Sequence, residues 1–120
     1  MNIVNIMNFV RGIEPRNPEL DLVLPVKKEL ELCRQYGYKN TFLMQYDAMI
    51  RSEFVDIMKS AGENTEIGIW IELGRPLMEK AGLEWNGREG WDWDWHVNPG
   101  FLPAYTQHER QIIIDEIMRK

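Results

Sequence analysis

Short runs of β-forming residues alternate along this chain with segments patterned for helices. Residues 2–10 (Asn-Ile-Val-Asn-Ile-Met-Asn-Phe-Val) read as a buried first strand, broken by Arg11-Gly12-Ile13-Glu14-Pro15. From 25 to 36, Val26, Leu30 and Cys33 recur at helical spacing behind Pro25, and Gly37 follows at a left-handed cap position. Thr41–Tyr46 reads as a second strand. Ser52 then stands as the N-cap of a helix that carries Phe54, Val55, Ile57, Met58 and Ala61 and stops at Gly62. Thr65–Ile71 is the third strand, with a short helix from Pro76 to Ala81 ending at Gly82. After a long aromatic stretch, 83–105, Thr106-Gln-His-Glu109 has capping-box spacing and opens a last helix through Ile112, Ile113, Ile114, Ile117 and Met118. Strand–helix alternation of this kind predicts an α/β fold with three or so parallel strands joined by right-handed crossovers. A parallel sheet is normally covered on both faces or closed into a barrel, and three strands are few for either. We therefore expect residues 1–120 to be a single domain that forms the N-terminal portion of something larger.

Composition removes several function classes. The net charge is −5 and no Lys/Arg stripe is present, which disfavours nucleic acid as a partner. No apolar run approaches the roughly 18 residues of a membrane span. Met1–Val10 has neither a basic start nor a small-residue cleavage site, so it does not read as a signal peptide and a cytoplasmic location is expected. Cys33 is the single cysteine, so an internal disulfide is excluded; it reads as a core residue. Gly68 to Gly74 lacks the spacing of a phosphate-binding glycine loop.

In parallel α/β folds functional groups gather at the carboxyl ends of the strands. Here those ends carry Arg11 and Glu14, then Tyr46 and Asp47, then Trp70, Glu72 and Arg75. Each strand delivers one carboxylate, and Glu14, Asp47 and Glu72 are the candidate acids and bases. Structural roles compete with this: Asp47 as a helix cap, Glu14 paired with Arg11 across its loop, Glu72 in a first helical turn. A second constellation is Trp91-Asp92-Trp93-Asp94-Trp95-His96. In an extended chain the three tryptophans would share one side, as a sugar platform or a core ladder, with Asp92, Asp94 and His96 on the other. That second side is the candidate divalent-metal site, and His96 a candidate catalytic residue; no other cofactor is expected.

Thr41-Phe42-Leu43, a helix, and then Glu66-Ile67-Gly68 resembles the polysaccharide deacetylase superfamily. Residues 8–16, 41–48 and the Trp-Asp-Trp-His region are similar to a bacterial group of longer proteins related to it. The resemblance implies an incomplete (β/α) barrel, a fold also found in some glycoside hydrolases, and a carbohydrate as partner. The superfamily's Asp-Asp pair after strand one is replaced by Arg11-Gly12-Ile13-Glu14, and Ile69-Trp70-Ile71-Glu72 stands where its His-x-x-x-His would be. The zinc triad is thus absent, and what the resemblance leaves is a rim of carboxylates closer to a glycosidase pair. The expected function is a carbohydrate-active hydrolase, with Glu14, Asp47, Glu72 and His96 as catalytic candidates. Arg11, Tyr46, Trp70, Arg75, Trp91, Trp93 and Trp95 are the candidates for substrate binding. The alternative is a non-catalytic sugar-binding or structural remnant. Uncovered strand edges predict pairing with a second copy or with the remainder of the barrel.

Overall fold

The computed structural model describes residues 4, 6–14, 16–86 and 105–120. Three strands, β1 (Ile6–Val10), β2 (Asn40–Met44) and β3 (Thr65–Ile69), form one parallel sheet in the order β1-β2-β3. The helices are α1 (Val23–Tyr36), α2 (Tyr46–Met49), α3 (Ser52–Lys59), α4 (Arg75–Ala81) and α5 (Gln107–Met118). The expected α/β alternation is present, with α1 joining β1 to β2, and α2 and α3 joining β2 to β3.

Register fixes which side chains share a face. Val10, Met44 and Ile69 are aligned across the sheet, as are Asn8, Phe42 and Ile67 two residues earlier. Val10, Phe42 and Met44 are sealed under Leu30 of α1 and Phe54, Ile57 and Met58 of α3, so both helices pack on the same face. Phe42 and Phe54 are each 0% exposed. The opposite face carries Met7, Phe9, Leu43 and Gly68, and there Met7 and Phe9 are 47% and 57% exposed. Gly68 has a packing reason: a Cβ there would lie 2.6 Å from Leu43 Cδ2. A second apolar cluster joins α4 and α5 through Leu77, Met78, Ile113 and Ile117, with Tyr46 and Tyr105 packed into it.

Several expected boundaries move. Pro25 is the third residue of α1 rather than its opening; Asp21 Oδ1 accepts from the Val23 and Leu24 amides, at 2.8 and 3.2 Å, and so starts the helix earlier. Ser52 is the first residue of α3, and the residue in the cap position, Arg51, makes no side-chain cap bond. That helix ends at Lys59, short of Gly62. Gly37 and Gly82 do close α1 and α4 at φ of 66° and 70°, each donating its amide to carbonyls of the last turn. The capping box of Thr106 and Glu109 is also formed. β2 and β3 are shorter than expected, ending at Met44 and Ile69, and Tyr46 and Asp47 belong to α2, a helical turn that the sequence reading lacks.

Candidate functional site at the carboxyl rim

The ladder continues one residue past two of the strands. Gln45 donates its amide to the Val10 carbonyl at 2.9 Å, and Trp70 donates to Met44 at 2.9 Å. Strand alternation therefore carries Phe9 to Arg11, Leu43 to Gln45 and Gly68 to Trp70, all on the face away from α1 and α3. The contacts agree. Phe9 meets the Trp70 ring edge-on at 4.7 Å, although β2 lies between their strands. The Arg11 guanidinium sits over the same ring, 5.5 Å from its centre. Gln45, 2% exposed, donates from Nε2 to Glu72 Oε2 at 3.2 Å. Phe9, Arg11 and Trp70 thus form one cluster, and the buried Gln45 holds Glu72, two residues on from Trp70.

Glu14 joins it through Arg11, with Nη1 to Oε2 at 3.6 Å, and its Oε1 accepts from the Arg16 amide at 3.2 Å. The expected Arg11–Glu14 pair is therefore present, and both side chains remain partly exposed. Glu72 lies three residues before α4, outside any helical turn, so the helix-dipole role proposed for it does not hold.

Asp47 and Tyr46 go elsewhere, because α2 begins at Tyr46. Successive helical residues rotate by about 100° instead of alternating, so the two side chains splay apart. Asp47 Oδ2 accepts from the Ile13 amide at 3.2 Å, tying the β1 loop to the β2 loop. Asp47 does not cap a helix. Beside it Arg51 donates to the Gly12 carbonyl, and Gly12 lies so close to the Asp47 backbone that a Cβ there would collide with it. Asp47 is 8% exposed, and its Oδ1 is buried with no hydrogen-bond partner among the described residues. A cavity of ≈ 10 Å³, about the size of one water, is lined by Gln45, Asp47, Glu72 and Gly74. Tyr46 turns into the second cluster, where its hydroxyl donates to Glu116 Oε1 at 2.6 Å. Burial, together with the Glu116 carboxylate, raises the Tyr46 hydroxyl pKa. The Tyr46 bond, aided by Lys120, Arg119 and Lys80, lowers that of Glu116.

Arg75 opens α4 with its guanidinium 4.4 Å from the centre of the Trp85 ring, and Trp85 Nε1 donates to the Leu73 carbonyl at 3.1 Å. The segment after β3 therefore repeats the arginine-on-tryptophan arrangement found after β1. Trp91, Asp92, Trp93, Asp94, Trp95 and His96 lie outside the described residues. Among the described residues no group of three or more His, Cys, Asp or Glu side chains could hold a metal ion, and no helix is long and apolar enough to cross a membrane. A polar hollow of ≈ 600 Å³ lies at the amino end of the sheet, between Lys39–Thr41 and Glu63–Glu66, with no aromatic side chain in its lining among the described residues.

Sequence reasoning misses Gln45, the residue that joins the β2 strand to Glu72. Counting two residues on from Leu43 finds it. Reading β2 through to Tyr46 hides it, by directing attention to Tyr46 and Asp47 as the rim groups. Compared with family models, curated proteins and solved structures, the chain matches none.

Proposed function

We propose that this chain is a carbohydrate-active protein of the polysaccharide deacetylase-like or glycoside hydrolase-like (β/α)-barrel type, whose carboxyl rim takes a poly- or oligosaccharide. The observation that carries this reading is the grouping of Phe9, Arg11 and Trp70 on one sheet face at the carboxyl ends of the strands, with Glu72, nearby in sequence, held by Gln45. Aromatic surface beside fixed polar groups suits a sugar ring, with its apolar faces and hydroxyl edge. In this reading Glu14 and Glu72 are the acids that act on a bound glycoside, one as proton donor and one as base or nucleophile. Asp47 is better suited to hold the β1 loop in place than to meet substrate. Three strands in sequential order, with α1 and α3 on one face, suit a segment of a singly wound barrel. The exposed Met7, and Ile67 and Ile69 on the β3 edge, are where further strands or a second copy would pack.

A non-catalytic sugar-binding role is the second reading. It is favoured by the commitment of Asp47 and Tyr46, two of the expected rim groups, to structural bonds. The deciding experiment offers the chain a panel of oligosaccharides and follows binding, reducing ends and released acetate. Turnover that disappears in Glu14→Gln and Glu72→Gln supports the hydrolase. Binding without turnover supports the second reading, and absence of both contradicts the proposal. Light scattering on the same sample tests self-association.

A further inference from the structure

The saccharide reading leaves the substrate class open, and Arg11 narrows it. Among the described residues its guanidinium donates no hydrogen bond. Its contacts are the Trp70 ring at 5.5 Å and Glu14 at 3.6 Å, the latter beyond hydrogen-bond distance. Arginine has five N–H donors in a planar fork that matches an oxyanion bidentately. The guanidinium of this one lies over Trp70, which is braced in turn by Phe9 at 4.7 Å, and the side chain is 37% exposed. A fork held against a ring loses less freedom on binding than one on a mobile stem. The same contact sets the cation beside the aromatic surface of Trp70. The rim therefore presents a placed cation together with its aromatic surface.

We propose that the ligand is a saccharide containing uronic acid units, and that Arg11 binds the carboxylate of one unit through its fork. This inference rests on the saccharide reading above and adds its substrate class. A net charge of −5 opposes the approach of an anion, so selectivity must arise at contact distance. Glu14 approaches Nη1 at 3.6 Å, and among the described residues no hydrogen bond engages the donors of the fork.

The test is calorimetric titration of the full chain with a trigalacturonate and with the neutral trigalactoside of the same linkage. The uronate is expected to bind about tenfold or more tightly than its neutral counterpart, the scale of one charge-assisted hydrogen-bonded contact. Arg11→Gln is expected to remove that advantage, and Arg11→Lys most of it, because an ammonium supplies charge without the fork. Equal affinity for the two sugars in the native chain overturns the inference while leaving the saccharide reading standing, and needs no variant. A preference for the uronate that survives in a folded Arg11→Gln chain overturns it as well. Binding of neither sugar removes this inference, and with negative results across the wider panel the saccharide reading also fails.

Discussion

On one face of the sheet Val10, Phe42 and Met44 are closed in by Leu30, Phe54, Ile57 and Met58. On the other, Phe9 stands more than half exposed, and the ladder runs on into Gln45 and Trp70, with Arg11 over Trp70 and Glu72 held by Gln45. The same strands supply both faces, one residue out of phase. The covered face excludes water through apolar side chains, so its contribution is to stability. The open face gathers guanidinium, amide, carboxylate and indole groups, which are costly to bury without partners and useful where a ligand provides them. The difference teaches that the two faces should respond to substitution in different observables.

The largest contrast is expected between two phenylalanines. Phe42→Ala should cost about 3–5 kcal/mol of unfolding free energy, the range for deleting a sealed aromatic side chain. Phe9→Ala should cost much less, since more than half of its surface already faces solvent. Chemical denaturation of the two variants checks this, and equal losses would break the distinction between the faces.

The next contrast uses two glycines. Gly12→Ala drives a Cβ into the backbone of Asp47, which cannot move without its loop, and should cost about 1–3 kcal/mol. Gly68→Ala meets only the tip of the Leu43 side chain, which can rotate, and should cost less. The same denaturation assay ranks them.

The Tyr46–Glu116 bond locates a third effect, at the junction of the rim with the second cluster. Tyr46→Phe should lower the melting temperature by less than Phe42→Ala does. The pair also fixes a pH dependence. The folded state holds the Glu116 carboxyl below its ordinary 4.5, so the unfolded chain takes up the proton first as pH falls. The stabilisation is therefore complete above about 4.5 and is lost as pH drops through the lower, folded value. Glu116→Gln should flatten that acid limb in a melting-temperature series, and an unchanged limb would assign it to other carboxylates. The smallest effect should be Thr106→Ala, about 1 kcal/mol for loss of the α5 capping box, with no consequence for either face.

Sequence reasoning reaches the covered face more easily than the open one. Leu30, Cys33, Phe54, Ile57 and Met58 repeat at helical spacing, and Gly37, Gly82 and the Thr106–Glu109 pair mark helix ends by local chemistry alone. The rim depends on where a strand stops. Ending β2 at Met44 instead of Tyr46 moves Tyr46 and Asp47 out of the alternating pattern into a helical turn, and brings Gln45 into the site. No local signal marks that transition, because Tyr46 and Asp47 are acceptable in either state, and the bond that takes Tyr46 away comes from Glu116, seventy residues on. The start of α1 illustrates the same point: the Asp21 carboxylate opens the helix, while Pro25 merely tolerates its first turn.

In the proposed function Arg11, Trp70 and Glu72 meet the ligand while the opposite face holds the fold. Amide hydrogen exchange with and without a saturating acidic oligosaccharide tests it directly. Exchange should slow at residues 11–14 and 70–73 while the amides around Phe42 stay as they were. Protection confined to residues 39–41 and 63–66, at the amino end of the sheet, would contradict the account and move the site to the polar hollow there.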